Sequence, residues 1–150
     1  MDTLPDVTAT GADGAPLRLH DLPRPLVVYF YPKDDTPGCT KEAQAFSALA
    51  PEFAAAGVAL LGVSRDTVAQ HAKFIAKHGL AVPLASDLDG QVTEAFGVWG
   101  EKQMYGKTYM GIERSTFLFD ADGQLVEQWR KVKVPGHAEA VLAAAKAIRG

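Results

Sequence analysis

The chain has 150 residues, of which 47% are hydrophobic and 22% are charged, and its net charge at pH 7 is −3. This length suffices for one domain with its own core, so we expect a single domain over residues 1–150. The mixed charge gives no broad basic field for nucleic acid, and no apolar run reaches the roughly 20 residues of a membrane span. Because the first residues lack the features of a signal peptide, we expect a cytoplasmic protein with no nucleic-acid or membrane partner.

The N-terminal third combines a hairpin pattern with a buried strand and a helix. Residues 7–19, VTATGADGAPLRL, predict a β-hairpin that turns at ADG. Residues 26–31, LVVYFY, are apolar without alternation and end at Pro32, as expected of a strand covered on both faces. The helix that follows contains Cys39 and reaches Pro51, where we expect a kink or a restart.

The middle of the chain repeats the strand and helix pattern. Residues 58–64, VALLGVS, predict a second buried strand. The next helix is predicted to point Val68, Ala72 and Ile75 inward and to stop at Gly79.

The C-terminal part predicts a hairpin and a last helix. Residues 115–120, STFLFD, predict a third buried strand, and residues 124–132 return as an edge strand. The final helix, over about 137–148, has its apolar positions on one face. These elements together predict an α/β fold, in which a mixed sheet carries helices on both faces.

Residues 97–113 do not fit this scheme. GVWGEKQMYGKTYMGIE has no hydrophobic period, so we expect a long ordered loop, and such loops are usually functional. Its large side chains favour self-packing, with a dimer face or the wall of a site as alternatives; they are Trp99, Met104, Tyr105, Tyr109 and Met110.

Cys39 is the only cysteine, which excludes an internal disulfide. Within TPGCT, Thr36 is predicted to be the N-cap of the helix and Pro37 its first residue, so that Cys39 falls in the first turn. The N–H groups of a first turn have no acceptor within the helix, and the helix dipole is positive there. An anionic sulfur is therefore favoured at this position.

The helix end alone does not suffice to ionise a thiol. A thiol with an ordinary pKa of about 8.5 is only about 3% ionised at pH 7, and a helix terminus contributes at most about 2 kcal/mol. Arg114, directly before the strand at residues 115–120, is the candidate for a second positive group if that strand lies beside residues 26–31. The alternative is that Cys39 is a plain core residue, but the turn-forming neighbours at 34–38 argue against it.

Three segments resemble the peroxiredoxins, and within them the bacterioferritin comigratory protein (BCP) or PrxQ type. They are YPKDDTPGCTKEAQAF (31–46), LLGVSRDTVAQHAKFIAKHGLAVPLASD (60–87) and FGVWGEKQMYGKTYMGIERSTFLFDADG (96–123). The resemblance implies a thioredoxin-like fold with an N-terminal β-hairpin extension. It also implies a thiol peroxidase that reduces hydrogen peroxide and organic hydroperoxides without a metal or a bound cofactor.

The resemblance also assigns the site. The family's P-x-x-x-T-x-x-C pattern falls on Pro32, Thr36 and Cys39, and its later arginine falls on Arg114. Cys39 is expected to attack the peroxide and become a sulfenic acid, while Thr36 and Arg114 bind the peroxide oxygens. Pro32 is expected to shield the sulfur from water. Glu42 is an alternative partner for Arg114, although a solvated helix carboxylate is the interpretation we favour.

The chain departs from many relatives at the resolving cysteine. Gln44 stands where many of them carry it, and no second cysteine occurs elsewhere. A one-cysteine mechanism is expected, in which thioredoxin, glutaredoxin with glutathione, or another low-molecular-weight thiol resolves the sulfenic acid. The rival functions are a glutaredoxin-like thiol–disulfide catalyst and a peroxide-responsive redox sensor or interaction module. We expect a monomer, with a dimer as the alternative.

A metal site is not expected. His71 and His78 lie two turns apart on one predicted helix, but no cysteine or third histidine is near them in the sequence.

Overall fold

The computed structural model describes residues 1–148, which form nine strands and four α-helices. The strands are β1 (Thr8–Gly11), β2 (Pro16–Arg18), β3 (Leu26–Phe30), β4 (Ala59–Ser64), β5 (Leu84–Ser86), β6 (Trp99–Met104), β7 (Lys107–Ile112), β8 (Ser115–Phe119) and β9 (Leu125–Trp129). The helices are α1 (Pro37–Ala55), α2 (Val68–His78), α3 (Gln91–Ala95) and α4 (His137–Ala147). Within residues 1–148, no helix combines the length and the apolar character that crossing a membrane requires.

Seven strands form one mixed sheet in the order β2-β1-β5-β4-β3-β8-β9. The central strands β3, β4 and β5 are parallel, whereas β8 and β1 join them in antiparallel fashion. In the pairing of β3 with β8, Phe30 lies opposite Ser115. The residue after β3 and the residue before β8 therefore meet at one end of the sheet.

The sheet separates two hydrophobic cores, and β3 contributes to both. Val27 and Tyr29 face the core that contains α1, α2 and α4, whereas Val28 and Phe30 face the core that contains α3. All five residues of β3 are buried. This burial on both faces explains why the strand reads as an unbroken apolar run in the sequence.

Several predictions from the sequence are confirmed. The N-terminal hairpin is β1 and β2, and the strand at 124–132 is β9, at the edge of the sheet. α2 ends at Gly79, whose left-handed φ of 58° suits glycine. Helices lie on both faces of a mixed sheet, as predicted.

The predicted restart at Pro51 is wrong. α1 runs as one helix from Pro37 to Ala55 with Pro51 inside it. Phe46 and Phe53, on either side of the proline, are both buried in the same core. This packing holds the two halves of α1 together although Pro51 cannot donate a backbone hydrogen bond.

The inward face predicted for α2 is partly wrong. Val68 and Ile75 are half-buried, but Ala72 is exposed, and the fully buried residues are His71 and Phe74. The face is rotated because His71 is drawn inward by hydrogen bonds, which an apolar pattern does not reveal.

Residues 97–113 do not form the predicted irregular loop. β6 and β7 make a separate two-stranded hairpin that turns at Tyr105 and Gly106, both with positive φ. The self-packing expected of its large side chains is also wrong, since Met104, Tyr105 and Met110 are at least half exposed. The alternation typical of a strand is lacking because neither face of this hairpin is covered over its outer half.

Gly62 in β4 tests how tightly this sheet packs against the α1 side. A Cβ atom at this position would lie 2.7 Å from Cζ of Tyr29 and 2.8 Å from Cδ2 of Leu84. We expect Gly62→Ala to lower the free energy of unfolding by about 1 to 3 kcal/mol, as overpacked cores do. Urea denaturation measures this change.

Gly100→Ala is the matched control, because a Cβ atom there meets no atom of the described part of the chain within 4 Å. We expect its free energy of unfolding to stay within about 0.5 kcal/mol of that of the unmodified chain. Equal effects of the two substitutions would contradict the packing argument.

Candidate active site

Cys39 lies at the start of α1, just beyond the end of β3. It is buried, with 2% of its surface exposed. Thr36 is the N-cap residue and Pro37 the first helical residue, as predicted. The N–H of Thr40 donates to the Thr36 carbonyl at 2.8 Å, so the N–H groups of the two residues before Thr40 precede the helical ladder. Those N–H groups are available to an oxygen beside the sulfur.

The Thr36 hydroxyl does not cap the helix. It donates instead to the carbonyl of Lys33 at 2.9 Å. Because its proton is used in this bond, the oxygen presents lone pairs to its surroundings. Half-buried Thr36 can thus accept a hydrogen bond from a hydroperoxide O–H.

Arg114 meets Cys39 as the sequence predicts. Its Nη2 atom donates to Sγ of Cys39 at 3.3 Å, across 75 residues of sequence. The β3–β8 pairing brings the two together, since Arg114 directly precedes β8. Gly38 permits the approach, because a Cβ atom at that position would lie 3.3 Å from Nη2 of Arg114.

Glu42 holds Arg114 from the other side. Nη1 of Arg114 donates to Oε1 of Glu42 at 2.7 Å, and only 1% of Glu42 is exposed. The interpretation of Glu42 as a solvated carboxylate is therefore wrong. The alternative that it orients Arg114 matches the geometry, because one guanidinium edge contacts the carboxylate and the other the sulfur.

The charge balance of this group depends on pH. Burial raises the pKa of Glu42 to about 7, and the Arg114 guanidinium only partly offsets this effect. Burial lowers the pKa of Arg114, but Glu42 and Cys39 together raise it above its ordinary value. Within residues 1–148, Oε2 of Glu42 is buried and has no hydrogen-bond partner, so it is the oxygen on which a proton would reside.

His137 is a second titratable group behind the site. Its Nε2 atom lies 2.7 Å from Oγ1 of Thr116, the residue opposite Tyr29 in the sheet. Burial, assisted by the charge of Arg114, lowers the pKa of His137 to about 4. The neutral ring stabilises the fold above a pH of about 6.5, and this contribution is lost as the pH falls toward 4.

Pro32 and Arg114 line an open cleft of about 530 Å³. The hairpin β6–β7 contributes Trp99, Lys102 and Gly111 to the same lining. The expectation that residues 97–113 wall a site thus matches the geometry. Pro32 is half-buried.

The loop between β3 and α1 is held by a buried network that sequence reasoning missed. The hydroxyl of Tyr31 donates to Asp34 at 2.5 Å, and Nδ1 of His71 lies 2.6 Å from the other oxygen of Asp34. Nε2 of His71 lies 3.1 Å from the carbonyl of Ala85. The backbone N–H of Asp34 donates to Asp66 at 2.9 Å. These bonds fix the loop to α2 and to the end of β4.

A second tie lies on the surface. Asp35, in a left-handed conformation with φ of 61°, accepts from Lys77 at 2.7 Å and lies 3.0 Å from Nε2 of His78. His78 and then Lys77 lower the pKa of Asp35. His71 and His78 thus serve different carboxylates and do not form a pair.

Metal-ligating groups do converge at Asp34, Asp66 and His71, whose ligand atoms lie within 4.8 Å of one another. Each of them is hydrogen-bonded to protein groups in the loop network. A structural network accounts for this cluster, and no signal in the sequence beyond the polar residues after each strand could have found it.

Comparison with known proteins shows to which family this chain belongs. The AhpC/TSA family model matches residues 1–128. Peroxiredoxin Bcp of Xanthomonas campestris is 62% identical over 122 residues, which cover 81% of this chain and 76% of the relative. The chain belongs to the AhpC/TSA family. Peroxiredoxin Bcp of Bacillus subtilis is 46% identical over 139 residues, covering 92% of this chain and 88% of the relative.

Solved structures of related proteins share the fold of this chain over nearly its whole length. A structure of the Xanthomonas campestris bacterioferritin comigratory protein, studied for its alkyl peroxide reduction, aligns with a TM-score of 0.90 at 53% identity and covers 97% of this chain and 93% of that chain. Peroxidoxin BcpB of Mycobacterium tuberculosis aligns with a TM-score of 0.87 at 38% identity, covering 99% and 97%. The predicted thioredoxin-like fold and the BCP/PrxQ resemblance are confirmed. The chain is a thiol peroxidase whose single cysteine fits the one-cysteine type.

The pKa of Glu42 generates a test of the site. Since this pKa is about 7 in the folded chain and near 4.5 otherwise, the folded state holds a proton that the unfolded state has lost. The free energy of unfolding should therefore fall by about 1 kcal/mol between pH 6.5 and 8.5 because of Glu42. Glu42→Gln should remove this part of the decline, as measured by urea denaturation across that range. The contribution of His137, whose unfolded ring titrates near pH 6.5, is common to both proteins and cancels in their difference.

Glu52→Gln, an exposed carboxylate of the same helix, is the matched control. If the free energy of unfolding of Glu42→Gln changes with pH in parallel with that of the unmodified chain, Glu42 does not titrate between pH 6.5 and 8.5.

Proposed function

We propose that the chain reduces hydrogen peroxide and alkyl hydroperoxides at Cys39 and is returned to its reduced form by an external thiol. The observation that carries this proposal is the hydrogen bond from Arg114 to Sγ of Cys39 at 3.3 Å, made at the N-terminal turn of α1. A guanidinium and free N–H groups around one sulfur favour its thiolate, which is the nucleophilic form.

In the oxidative half-reaction, the Cys39 thiolate attacks one oxygen of the hydroperoxide. An S–O bond forms as the O–O bond breaks, and the leaving oxygen takes up a proton to depart as water or an alcohol. The sulfur loses two electrons and becomes a sulfenic acid. The hydroxyl oxygen of Thr36 accepts a hydrogen bond from the O–H of the hydroperoxide. Arg114 and the backbone N–H of Cys39 stabilise the negative charge that develops on the peroxide oxygens.

Pro32 and Glu42 support this chemistry without contacting the oxygens. Pro32 lines the cleft at the start of the loop that leads to Cys39, where it would limit the access of water to the buried sulfur. Glu42 fixes the guanidinium plane through its bond to Nη1. With this plane fixed, Nη2 stays directed at the sulfur during the reaction.

In the reductive half-reaction, a thiol from outside the chain attacks the sulfenic sulfur. A mixed disulfide forms and water leaves; a second thiol then releases the Cys39 thiolate and carries away the disulfide. The support for this route is that Cys39 is the only cysteine. Glutathione with glutaredoxin, another low-molecular-weight thiol, and thioredoxin are the candidate reductants. Since these thiols are kept reduced in the cytoplasm, we propose that the protein acts there. We expect it to act as a monomer.

Arg114→Met tests the role of the guanidinium. Loss of a charge-assisted hydrogen bond of about 1.5 to 3 kcal/mol should lower the rate of reaction with hydrogen peroxide by about 10- to 100-fold. Stopped-flow kinetics measure this rate. Arg114→Lys keeps the charge but cannot contact Glu42 and Cys39 with two separate nitrogens. Its rate should lie between that of the unmodified chain and that of Arg114→Met.

An unchanged rate in Arg114→Met would remove Arg114 from the mechanism. Circular dichroism of the same variant separates this result from a loss of folding, which the unpaired buried Glu42 could cause.

Mass spectrometry after one equivalent of peroxide tests the one-cysteine cycle. We expect a monomer that carries one added oxygen at Cys39 and that glutathione converts to a mixed disulfide. Turnover with glutathione and glutaredoxin, or with thioredoxin, should then follow. Prompt formation of a covalent dimer would contradict the cycle. Rapid exchange with disulfides but slow reaction with peroxide would favour a glutaredoxin-like catalyst. Oxidation of Cys39 without turnover would favour a redox sensor.

A further inference from the structure

The cleft beside the active site contains a lysine, Lys102, that takes no part in the proposed reaction with peroxide. Lys102 lines the cleft together with Arg114 and Pro32. It is the only half-buried residue between positions 101 and 110, all the others being exposed. Its ammonium donates one bond, to the carbonyl of Ile112 at 2.9 Å. The side chain is therefore partly buried in the wall of the cleft.

Lys102 shares the electrostatic field of the reacting sulfur. Burial and the charge of Arg114 lower the pKa of Lys102, whereas Cys39 and Glu113 raise it. An ammonium has three donors, so two of them are left after the bond to Ile112. Among residues 1–148, no carboxylate lies within ion-pair distance of Lys102.

Two acidic residues, Glu101 and Glu113, line the cleft together with three cations, Lys102, Arg114 and Lys131. Glu113 already accepts from Arg130 at 2.6 Å. Arg114 connects the cleft to the reacting sulfur, because its Nη2 atom donates to Sγ of Cys39. Since the cations outnumber the carboxylates, the cleft suits an anionic ligand.

The size and charge of the cleft select one class of reactant. Hydrogen peroxide and simple alkyl hydroperoxides are uncharged, and hydrogen peroxide fills only a small part of 530 Å³. A thiol that resolves the sulfenic acid must also reach Cys39, and small peptide thiols carry carboxylates at neutral pH. Sites for ligands of that size usually measure about 300 to 1,000 Å³.

We propose that this cleft, with Lys102 as its cation, binds a carboxylate-bearing low-molecular-weight thiol of the glutathione class and directs its sulfur to oxidised Cys39. This inference rests on the proposed one-cysteine peroxidase cycle. Lys102 and Lys131 hold the carboxylates, while the peptide lies against Trp99 and the backbone of Gly100. The thiol sulfur forms the S–S bond with Cys39, and the sulfenic oxygen leaves as water with the thiol proton and one proton from solvent or the sulfenic group.

The test compares two thiols on protein that has been oxidised with one equivalent of peroxide. Glutathione and its diethyl ester, in which both carboxylates are masked, are each mixed with the sulfenic acid form, and the rates of mixed-disulfide formation are measured by stopped flow and mass spectrometry. We expect glutathione to react faster than the ester. Lys102→Met should lower this rate ratio by about three- to tenfold, and 0.5 M salt should lower it in the unmodified chain.

Two variants make the result specific. Lys107→Met removes the same charge from the same hairpin but outside the cleft, so it should leave the ratio unchanged. Lys102→Arg keeps the charge and should keep most of the ratio. Since each ratio is taken on one protein, a change in the reactivity of the sulfur itself cancels.

A ratio that Lys102→Met does not change, or that Lys107→Met lowers equally, would overturn the inference. Failure of the proposed function looks different, since Cys39 would then not form the sulfenic acid with peroxide. In that case binding of S-methylglutathione to the reduced protein, measured by NMR titration of Lys102→Met against Lys107→Met, still decides whether the cleft binds this ligand. Loss of binding in the first variant alone supports the cleft, and equal binding overturns it.

Discussion

The site depends on one guanidinium, that of Arg114, which contacts both the carboxyl group of Glu42 and the sulfur of Cys39. Its two nitrogens contact Glu42 at 2.7 Å and Cys39 at 3.3 Å, and both partners belong to the first turns of α1. Taking a carboxylate out of water is expensive unless a cation accompanies it. Arg114 therefore offsets part of the cost of burying Glu42, and Glu42 in turn helps to fix the orientation of Arg114.

The rest of the fold keeps these elements in register. The pairing of β3 with β8 sets where Arg114 enters, and the buried ties of Asp34 to His71 and Asp66 set where α1 begins. Both constraints act on backbone next to the sulfur. Because β3 is packed into two cores, neither its position nor that of the turn after it can shift without disturbing both faces of the sheet.

The sequence was most informative where local rules and burial agree. The unbroken apolar strands, the Thr36–Pro37 helix start and the placement of Arg114 before β8 could be predicted, because each follows from a pattern of a few residues. The burial of Glu42 and His71 could not, because a charged side chain becomes buried only through a partner far away in the sequence. The β6–β7 hairpin was missed because little of it is covered, so that no alternation in the sequence reports its strands.

The presence of a single cysteine also determines how the enzyme is inactivated by oxidation. A sulfenic acid that no thiol reaches can meet a second peroxide and become a sulfinic acid, which ordinary thiols do not reverse. In this chain no neighbouring cysteine can intercept it first. Overoxidation therefore depends on a competition between peroxide and reductant for one atom, and the working lifetime of each molecule reflects the ratio of the two in its surroundings.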